Sequence, residues 1–163
     1  MNDAENVHQI LLRTWLDTYS DFVPREDILG YLGKNYHPDM LRQLLQNPGI
    51  VSYVAEVDDI LTGYERTLYN DDEKRLYVQQ LYILPEYQGL GLGKQLMVLA
   101  AERAITFNLD RVWLGVMVSN TSALEWYLKM GYQIVEKEPF NLEKTAVEHY
   151  IGFVPIDRIL VKK

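Results

Sequence analysis

The sequence of 163 residues contains no cysteine, which excludes disulfides, thiolate metal sites and cysteine nucleophiles. It also lacks an excess of positive charge, and the net charge of −7 disfavours binding to nucleic-acid backbones. It has no run of 18 apolar residues, and its N-terminus, MNDAENVHQ, lacks the basic and apolar regions of a signal peptide. We therefore expect a cytoplasmic protein that binds neither nucleic acid nor a membrane.

Two further kinds of active site have little support in the sequence. His8, His37 and His149 are scattered without the spacing of paired metal ligands, so we expect no metal and interpret them as surface or packing residues. No serine stands in a Gly-x-Ser-x-Gly turn of the hydrolase type.

The chain does contain enough apolar residues, 48%, to form one core, and its length is typical of a single domain over residues 1–163. The apolar spacing of residues 1–48 is helical. Three helices are predicted there: one from an Asn2 or Asp3 cap to about Tyr19, one near Ile28 to Leu32, and one from Pro38 to Asn47.

From residue 50 to residue 156 the pattern predicts a core of strands and helices. The predicted strands are Ile50–Val57, Ile60–Tyr69, Arg75–Leu84, Arg111–Val118, Tyr132–Glu138 and Glu148–Pro155, with helices over Leu92–Phe107 and Asn120–Met130. We expect Pro139–Val147 to be a polar loop. The order predicts a three-layer α/β domain with a mixed central sheet and helices on both faces.

The most informative stretch is LYILPEYQGLGLGK, which ends at Lys94 and leads from a strand through three glycines into a helix. Glycines let backbone N–H groups surround an anion, and a helix N-terminus adds partial positive charge, so this loop is suited to phosphate oxygens. It is not a Walker A motif, because Gln95 follows Lys94 in place of serine or threonine. A Rossmann fingerprint would need glycine where Leu96 stands.

The remaining pattern, Gln88-x-x-Gly91-x-Gly93, resembles the pyrophosphate loop of the GNAT superfamily of acyl-CoA-dependent N-acetyltransferases. The stretches VWLGV from Val112 and NTSALEWYLKMGY from Asn120 resemble the next motifs of that family, in the same order. The resemblance covers residues 50–154, and the segment TWLDTY resembles the PaiA-type polyamine acetyltransferases. Family members usually open with a β-strand, whereas this sequence opens with a helix, so either the strand is absent or the start site is internal. We expect a sheet whose first edge strand is missing.

The resemblance implies that acetyl-CoA is the co-substrate, and it assigns coenzyme-binding roles to a defined set of residues. That set is Leu81, Ile83, Gln88, Gly89, Leu90, Gly91, Leu92, Gly93, Lys94, Asn120 and Tyr127. In the family, Tyr127 would be the general acid for the departing thiolate, and the Ile83 N–H would stabilise the oxyanion. If these residues do not contact the coenzyme, Asn120 is simply a helix N-cap and Tyr127 is a core residue.

The acceptor side is less defined. Gln79 and Gln80 stand where some relatives carry a glutamate base, which leaves water, Glu65 or Glu56 for that role unless these glutamates are solvated strand residues. The candidate substrate residues are Trp15, Tyr19, Phe22, Tyr31 and Glu65. Aromatic rings suit an alkylammonium group, although a stripe at helical spacing is also typical of a core.

These observations predict an acetyl-CoA-dependent N-acetyltransferase that acts directly on a primary amine. The acidic charge and the N-terminal resemblance favour a polyamine-like small molecule. Two alternatives stay open: a protein N-terminal or lysine acetyltransferase acting on a peptide amine, and a non-catalytic acyl-CoA-binding sensor. The resemblance also suggests a homodimer. The acceptor, the general base and the acyl length are not defined by the sequence.

Overall fold

The computed structural model describes residues 3–161, so the predicted cap at Asn2 lies outside the described residues. Six α-helices occur in this range: α1 (Asp3–Tyr19), α2 (Arg25–Asn35), α3 (Pro38–Leu44), α4 (Leu92–Thr106), α5 (Thr121–Lys129) and α6 (Ile156–Ile159). Six strands accompany them: β1 (Ile50–Val57), β2 (Ile60–Asn70), β3 (Arg75–Ile83), β4 (Arg111–Met117), β5 (Gln133–Leu142) and β6 (Thr145–Pro155). Over the same residues, no helix combines the length and the apolar character that a membrane crossing requires.

The N-terminal helices follow from apolar spacing and from proline. Val7, Leu11 and Trp15 recur on one side of α1, where all three are buried. α2 begins at Arg25 and is longer than the predicted Ile28–Leu32. It starts directly after Pro24, and its first turn carries acidic side chains, which the partial positive charge of a helix N-terminus stabilises.

The strands form one mixed sheet in the order β1-β2-β3-β4-β6-β5. β3 and β4 are parallel, and every other neighbouring pair is antiparallel. No strand precedes α1 within residues 3–161, and β1 forms one edge of the sheet. Together with the helices on its two faces, this sheet confirms the predicted three-layer α/β fold.

The two faces of the sheet carry separate apolar cores. On the α4 face, Val78 of β3 packs with Met97 of α4 and with α5 and α6. On the α1 face, Tyr64 of β2 packs with Leu11 of α1 and with α2. Because side chains alternate along a strand, neighbouring residues of β2 and β3 contribute to different faces.

The sheet is interrupted between β3 and β4. These strands pair only at Tyr77 with Trp113 and at Val78 with Leu114. The register against β2 shifts at the next residue, Gln79, so this residue forms a β-bulge. Beyond the bulge β3 and β4 separate, and a gap opens between them.

The predicted polar loop over Pro139–Val147 is wrong. β5 continues to Leu142, and the chain returns as β6 from Thr145, so this segment is a hairpin. Pro139 is accommodated because β5 is an edge strand, where one side of the backbone needs no partner. Most of β5 is exposed, so the alternating apolar pattern that predicts a strand is weak here.

Candidate active site

A cavity of about 510 Å³ occupies the gap between β3 and β4. The lining residues come from both faces of the sheet and from widely separated segments. They include Trp15, Tyr19, Tyr31, Tyr36, Arg66, Glu73, Gln79, Gln80, Leu81, Gly115, Asn120, Tyr127, Phe140 and His149. The cavity therefore unites parts of the predicted coenzyme site with parts of the predicted acceptor site.

The glycine-rich loop enters α4 in the geometry expected of an anion site. Gly89 and Gly91 have φ values of 82° and 83°, and no described atom lies within 4 Å of where a Cβ would stand on either residue. Gly91 caps α4, so the first N–H groups of the helix lack carbonyl partners within it and are directed outward. This part of the loop has both the space and the donors for phosphate oxygens.

Two members of the predicted loop have other contacts. A Cβ on Gly93 would stand 3.3 Å from the ring of Trp126, so this glycine allows α4 and α5 to pack closely. Lys94 Nζ donates a hydrogen bond to the carbonyl of Ile159 in α6. The side chain of Gln88 donates to the carbonyl of Ile83 at 3.1 Å and so ties the loop to the end of β3.

Main-chain groups of Leu81 and Ile83 face the gap. The N–H of Leu84 donates to Thr62 O at 2.8 Å, and hydrogen bonding alternates along an antiparallel pair. The N–H groups of Leu81 and Ile83 are therefore directed away from β2. No strand among residues 3–161 pairs with β3 on that side beyond Val78, so this edge is open for an extended ligand.

Asn120 and Tyr127 lie on the opposite wall. The side chain of Asn120 accepts a hydrogen bond from the Ala123 N–H at 3.3 Å, which caps α5, and the residue also lines the cavity. Tyr127 is 7% exposed, and burial raises the pKa of its phenol above the ordinary value. Tyr127 therefore stays protonated at neutral pH, as a general acid must, but it is a weaker acid than a free tyrosine.

The predicted aromatic wall is partly assembled. Trp15, Tyr19 and Tyr31 line the cavity, and the rings of Trp15 and Tyr31 are stacked with centroids 5.3 Å apart. Phe22 is not among the lining residues. Its ring packs against that of Tyr19, with centroids 5.6 Å apart. Trp15, Tyr19 and Tyr31 thus belong to the core on the α1 face and also form part of the cavity wall.

Sequence reasoning missed a polar cluster at the α1 end of the cavity. Arg66 is 4% exposed, and its Nε donates to Gln79 Oε1 at 2.9 Å. Its guanidinium also lies over the ring of Tyr36, 5.0 Å from the centroid. Gln80 is buried beside it. Arg66 shares one side of β2 with Tyr64 and Leu68, which was the only available signal, and a charged strand residue normally faces solvent.

The expectation that Glu65 is a solvated strand residue is wrong. Its side chain is fully buried, and neither carboxylate oxygen has a hydrogen-bond partner in the part of the chain that the structure describes. Burial raises its pKa to about 8, so the carboxyl group is mostly neutral at neutral pH. Glu65 lies opposite Leu81 and is close enough to Tyr127 to affect its pKa, but it is not among the residues that line the cavity.

His149 was interpreted as a surface or packing residue, yet it lines the cavity from β6. Its Nδ1 lies 2.8 Å from the carbonyl oxygen of Glu138, and a carbonyl can only accept, so Nδ1 carries a proton. Gly115 lies beneath the ring, and a Cβ there would stand 3.0 Å from it. Within residues 3–161, no group of three or more His, Cys, Asp or Glu side chains is arranged to hold a metal ion.

The family model of the acetyltransferase (GNAT) family matches residues 5–132, and the chain belongs to this family. It is therefore an N-acetyltransferase-type acyltransferase. An uncharacterized N-acetyltransferase of Mycobacterium tuberculosis is 29% identical over 151 residues, which cover 93% of this chain and 96% of that protein.

Two solved structures share the fold. PaiA N-acetyltransferase from Thermoplasma acidophilum, in complex with coenzyme A, has a TM-score of 0.78 and 20% identity, covering 94% of this chain and 93% of that chain. Spermidine N-acetyltransferase from Vibrio cholerae, in complex with CoA and spermine, has a TM-score of 0.69 and 20% identity. It covers 98% of this chain and 94% of its own.

Proposed function

We propose that this protein transfers an acetyl group from acetyl-CoA directly to a primary amine. The observation that carries the proposal is the cavity between β3 and β4. It joins the wall that holds Asn120 and Tyr127 to the aromatic wall that α1 and α2 provide. A direct transfer requires both substrates to meet in one enclosed space, and this gap offers it.

The residues of the chain fit coenzyme A in three places. The N–H groups at the start of α4 suit the pyrophosphate, and the open edge of β3 at Leu81 and Ile83 suits the pantetheine amides. Asn120 is placed to contact the same arm from the start of α5. When bound, acetyl-CoA supplies a thioester carbonyl that an amine can attack.

Ile83 and Tyr127 are the groups we propose to act on the reacting atoms. The Ile83 N–H is directed into the gap, where it would donate to the carbonyl oxygen as negative charge develops there. Tyr127, kept protonated by burial, would donate its hydroxyl proton towards the departing sulfur. Its raised pKa makes it a weaker acid than a free tyrosine, and the hydrogen bond that it donates would still strengthen as negative charge develops on the sulfur.

His149 is the side chain we propose as the proton acceptor for the ammonium group. Because Nδ1 carries a proton, Nε2, which lies 3.9 Å from Glu138 Oε1, is the ring nitrogen that would accept one. Glu65 is less suited because it does not line the cavity, and Glu56 because it is exposed on β1.

A substitution tests this role. His149→Gln should lower kcat by about 10-fold or more with little change in the affinity for acetyl-CoA. His37→Gln, at the exposed start of α3, is the matched control. An unchanged kcat in His149→Gln would exclude the role.

A polyamine is one acceptor class supported by the net charge of −7. The structural neighbour from Vibrio cholerae that was solved with spermine also supports this class, although only at the level of the fold. A protein N-terminal or lysine amine is the other class.

A thiol-release assay with acetyl-CoA tests the proposal against polyamines, amino acids, aminoglycosides and N-terminal peptides. Release that depends on one of these amines is expected. Binding of acetyl-CoA without any release would favour the non-catalytic sensor, and no binding in calorimetry would contradict both functions.

A further inference from the structure

The α1 end of the cavity contains a buried cation without an acidic partner. Arg66 Nε donates a hydrogen bond to Gln79 Oε1, and Nη2 lies 3.5 Å from the hydroxyl of Tyr36. The remaining nitrogen, Nη1, is buried and has no hydrogen-bond partner among residues 3–161. Among the described residues, none forms an ion pair with Arg66, and Glu73 is the only carboxylate in the lining.

Two more donors in the lining are buried and unpartnered. They are the indole Nε1 of Trp15 and the amide Nε2 of Gln80. Gln80 lies opposite Arg66 on the neighbouring strand, and Trp15 is connected to Arg66 through the contacting rings of Tyr31 and Tyr36. Against these three donors the lining offers one unpartnered acceptor, Gln80 Oε1.

An unsatisfied buried donor destabilises a protein, and a charged one more than a neutral one, unless a ligand completes its hydrogen bonds. A planar guanidinium with additional donors nearby matches the two oxygens of a carboxylate. Resting on the proposed function, we infer that the acceptor carries a carboxylate on the same molecule as its amine. The carboxylate binds Arg66, and the amine extends towards the gap.

The coenzyme phosphates do not explain this cluster. Arg66 contacts Tyr36 on the α1 face, whereas the glycine-rich loop leads into α4, which packs on the other face. A polyamine explains it no better. Several ammonium groups would approach a buried guanidinium of the same sign, with one carboxylate, Glu73, to offset them.

The test compares acceptors that differ only in the carboxylate: phenylalanine with phenylalaninamide and phenethylamine, and lysine with lysinamide and cadaverine. With saturating acetyl-CoA, kcat/KM from thiol release should be about 10-fold or more higher for the carboxylate member of an accepted set. Equal or better acetylation of the neutral or decarboxylated members would overturn the inference and leave the proposed function intact.

Variants of Arg66 assign the preference to its side chain. Arg66→Gln should bring the ratio of kcat/KM within a set close to unity, and Arg66→Lys should keep part of it. Arg111→Gln, which removes the same charge from an exposed ion pair outside the cavity, should retain the full ratio. The ratio is measured within one protein sample, so partial loss of folded Arg66→Gln does not alter it. A preference that survives in Arg66→Gln would contradict the inference.

Binding of an amine-free probe separates the inference from turnover. In the presence of CoA, phenylacetate should bind the wild-type protein in calorimetry and bind Arg66→Gln about 10-fold or more weakly. If no amine is acetylated but this difference is found, the proposed function fails and the carboxylate site stands. If phenylacetate does not bind and no carboxylate amine is acetylated, the inference fails.

Discussion

The coenzyme half and the acceptor half of the cavity are built in different ways. The coenzyme half that we propose would use main-chain groups of one continuous segment, residues 81–94, together with Asn120 and Tyr127. The acceptor half uses side chains from α1, α2, β2, β3 and the β5–β6 hairpin. Backbone donors at a helix start serve any ligand with the same phosphates, whereas side chains from distant segments adapt the site to one acceptor.

The unpartnered polar groups on the two faces of the sheet also differ: one face has an acid, and the other has chiefly hydrogen-bond donors. On the α4 face the unsatisfied group is the carboxyl of Glu65, which burial keeps mostly neutral at neutral pH. On the α1 face the unsatisfied groups are chiefly donors, led by the guanidinium of Arg66. The α4 face thus encloses a neutral acid, whereas the donors on the α1 face can attract an anion.

The largest expected effect is in the coenzyme half. Gly91→Glu places a side chain and a negative charge in the loop at a residue with φ of 83°. We expect the affinity for acetyl-CoA to fall by about 1,000-fold or more, measured by calorimetry. Ile105→Glu adds the same charge to the exposed far end of α4 and should bind normally.

Gly93→Glu is a poorer test, because a side chain there would meet Trp126 and disturb the packing of α4 on α5. If Gly91→Glu kept the wild-type affinity for acetyl-CoA, the loop would not be part of the coenzyme site.

The next effect concerns the stability of the α4 face. The pKa of Glu65 is raised to about 8 in the folded protein from an ordinary value of 4.5, so only the unfolded chain loses the proton between these values. The contribution of Glu65 to the free energy of unfolding should therefore fall by about 2 kcal/mol from about pH 6 to about pH 7.5. Glu65→Gln, which cannot ionise, should lose this part of the pH dependence.

The comparison is made by urea unfolding at both pH values. Glu136→Gln, on the exposed strand β5, is the control and should keep the wild-type pH dependence. Identical pH dependence in Glu65→Gln and the wild type would show that Glu65 ionises normally.

A smaller effect is expected at Tyr127. Tyr127→Phe should lower kcat for acetyl transfer by about 10-fold while the affinity for acetyl-CoA is kept, because only the hydroxyl is removed. Tyr132→Phe loses hydrogen bonds to the carbonyls of Leu114 and Tyr150 but is not among the lining residues. Tyr132→Phe should therefore lower the melting temperature clearly and change kcat only slightly. If Tyr127→Phe instead lowered the melting temperature and left kcat unchanged, Tyr127 would have a packing role alone.

The smallest effect is expected at the contact between the two halves. Arg13 of α1 forms an ion pair with Glu86, which precedes the glycine-rich loop, and both side chains are largely exposed. Exposed pairs of this kind contribute little, since water and salt screen them. Arg13→Gln should leave melting temperature and acetyl-CoA affinity nearly unchanged. A marked loss of affinity would show that α1 positions the loop.

The sequence predicted the coenzyme half better than the acceptor half. The loop from Gln88 and the helix α5, which Asn120 caps and which contains Tyr127, are local features, because each depends on residues close together in the chain. Arg66 and His149 were missed, and Gln80 was considered only as the replacement of a glutamate base, because these residues line one cavity only when β2, β3 and β6 are assembled. The hairpin through Pro139 was missed because an exposed edge strand has little apolar alternation.

By itself, the sequence determined the order of helices and strands, the glycine turn into α4 and the family, since each follows from short-range pattern and conformational preference. Only the tertiary structure decided that β3 separates from β4 at the Gln79 bulge, that Glu65 is enclosed and that Arg66 faces the cavity without an acid. Burial and pairing depend on which distant segments meet, and a one-dimensional pattern does not contain that information.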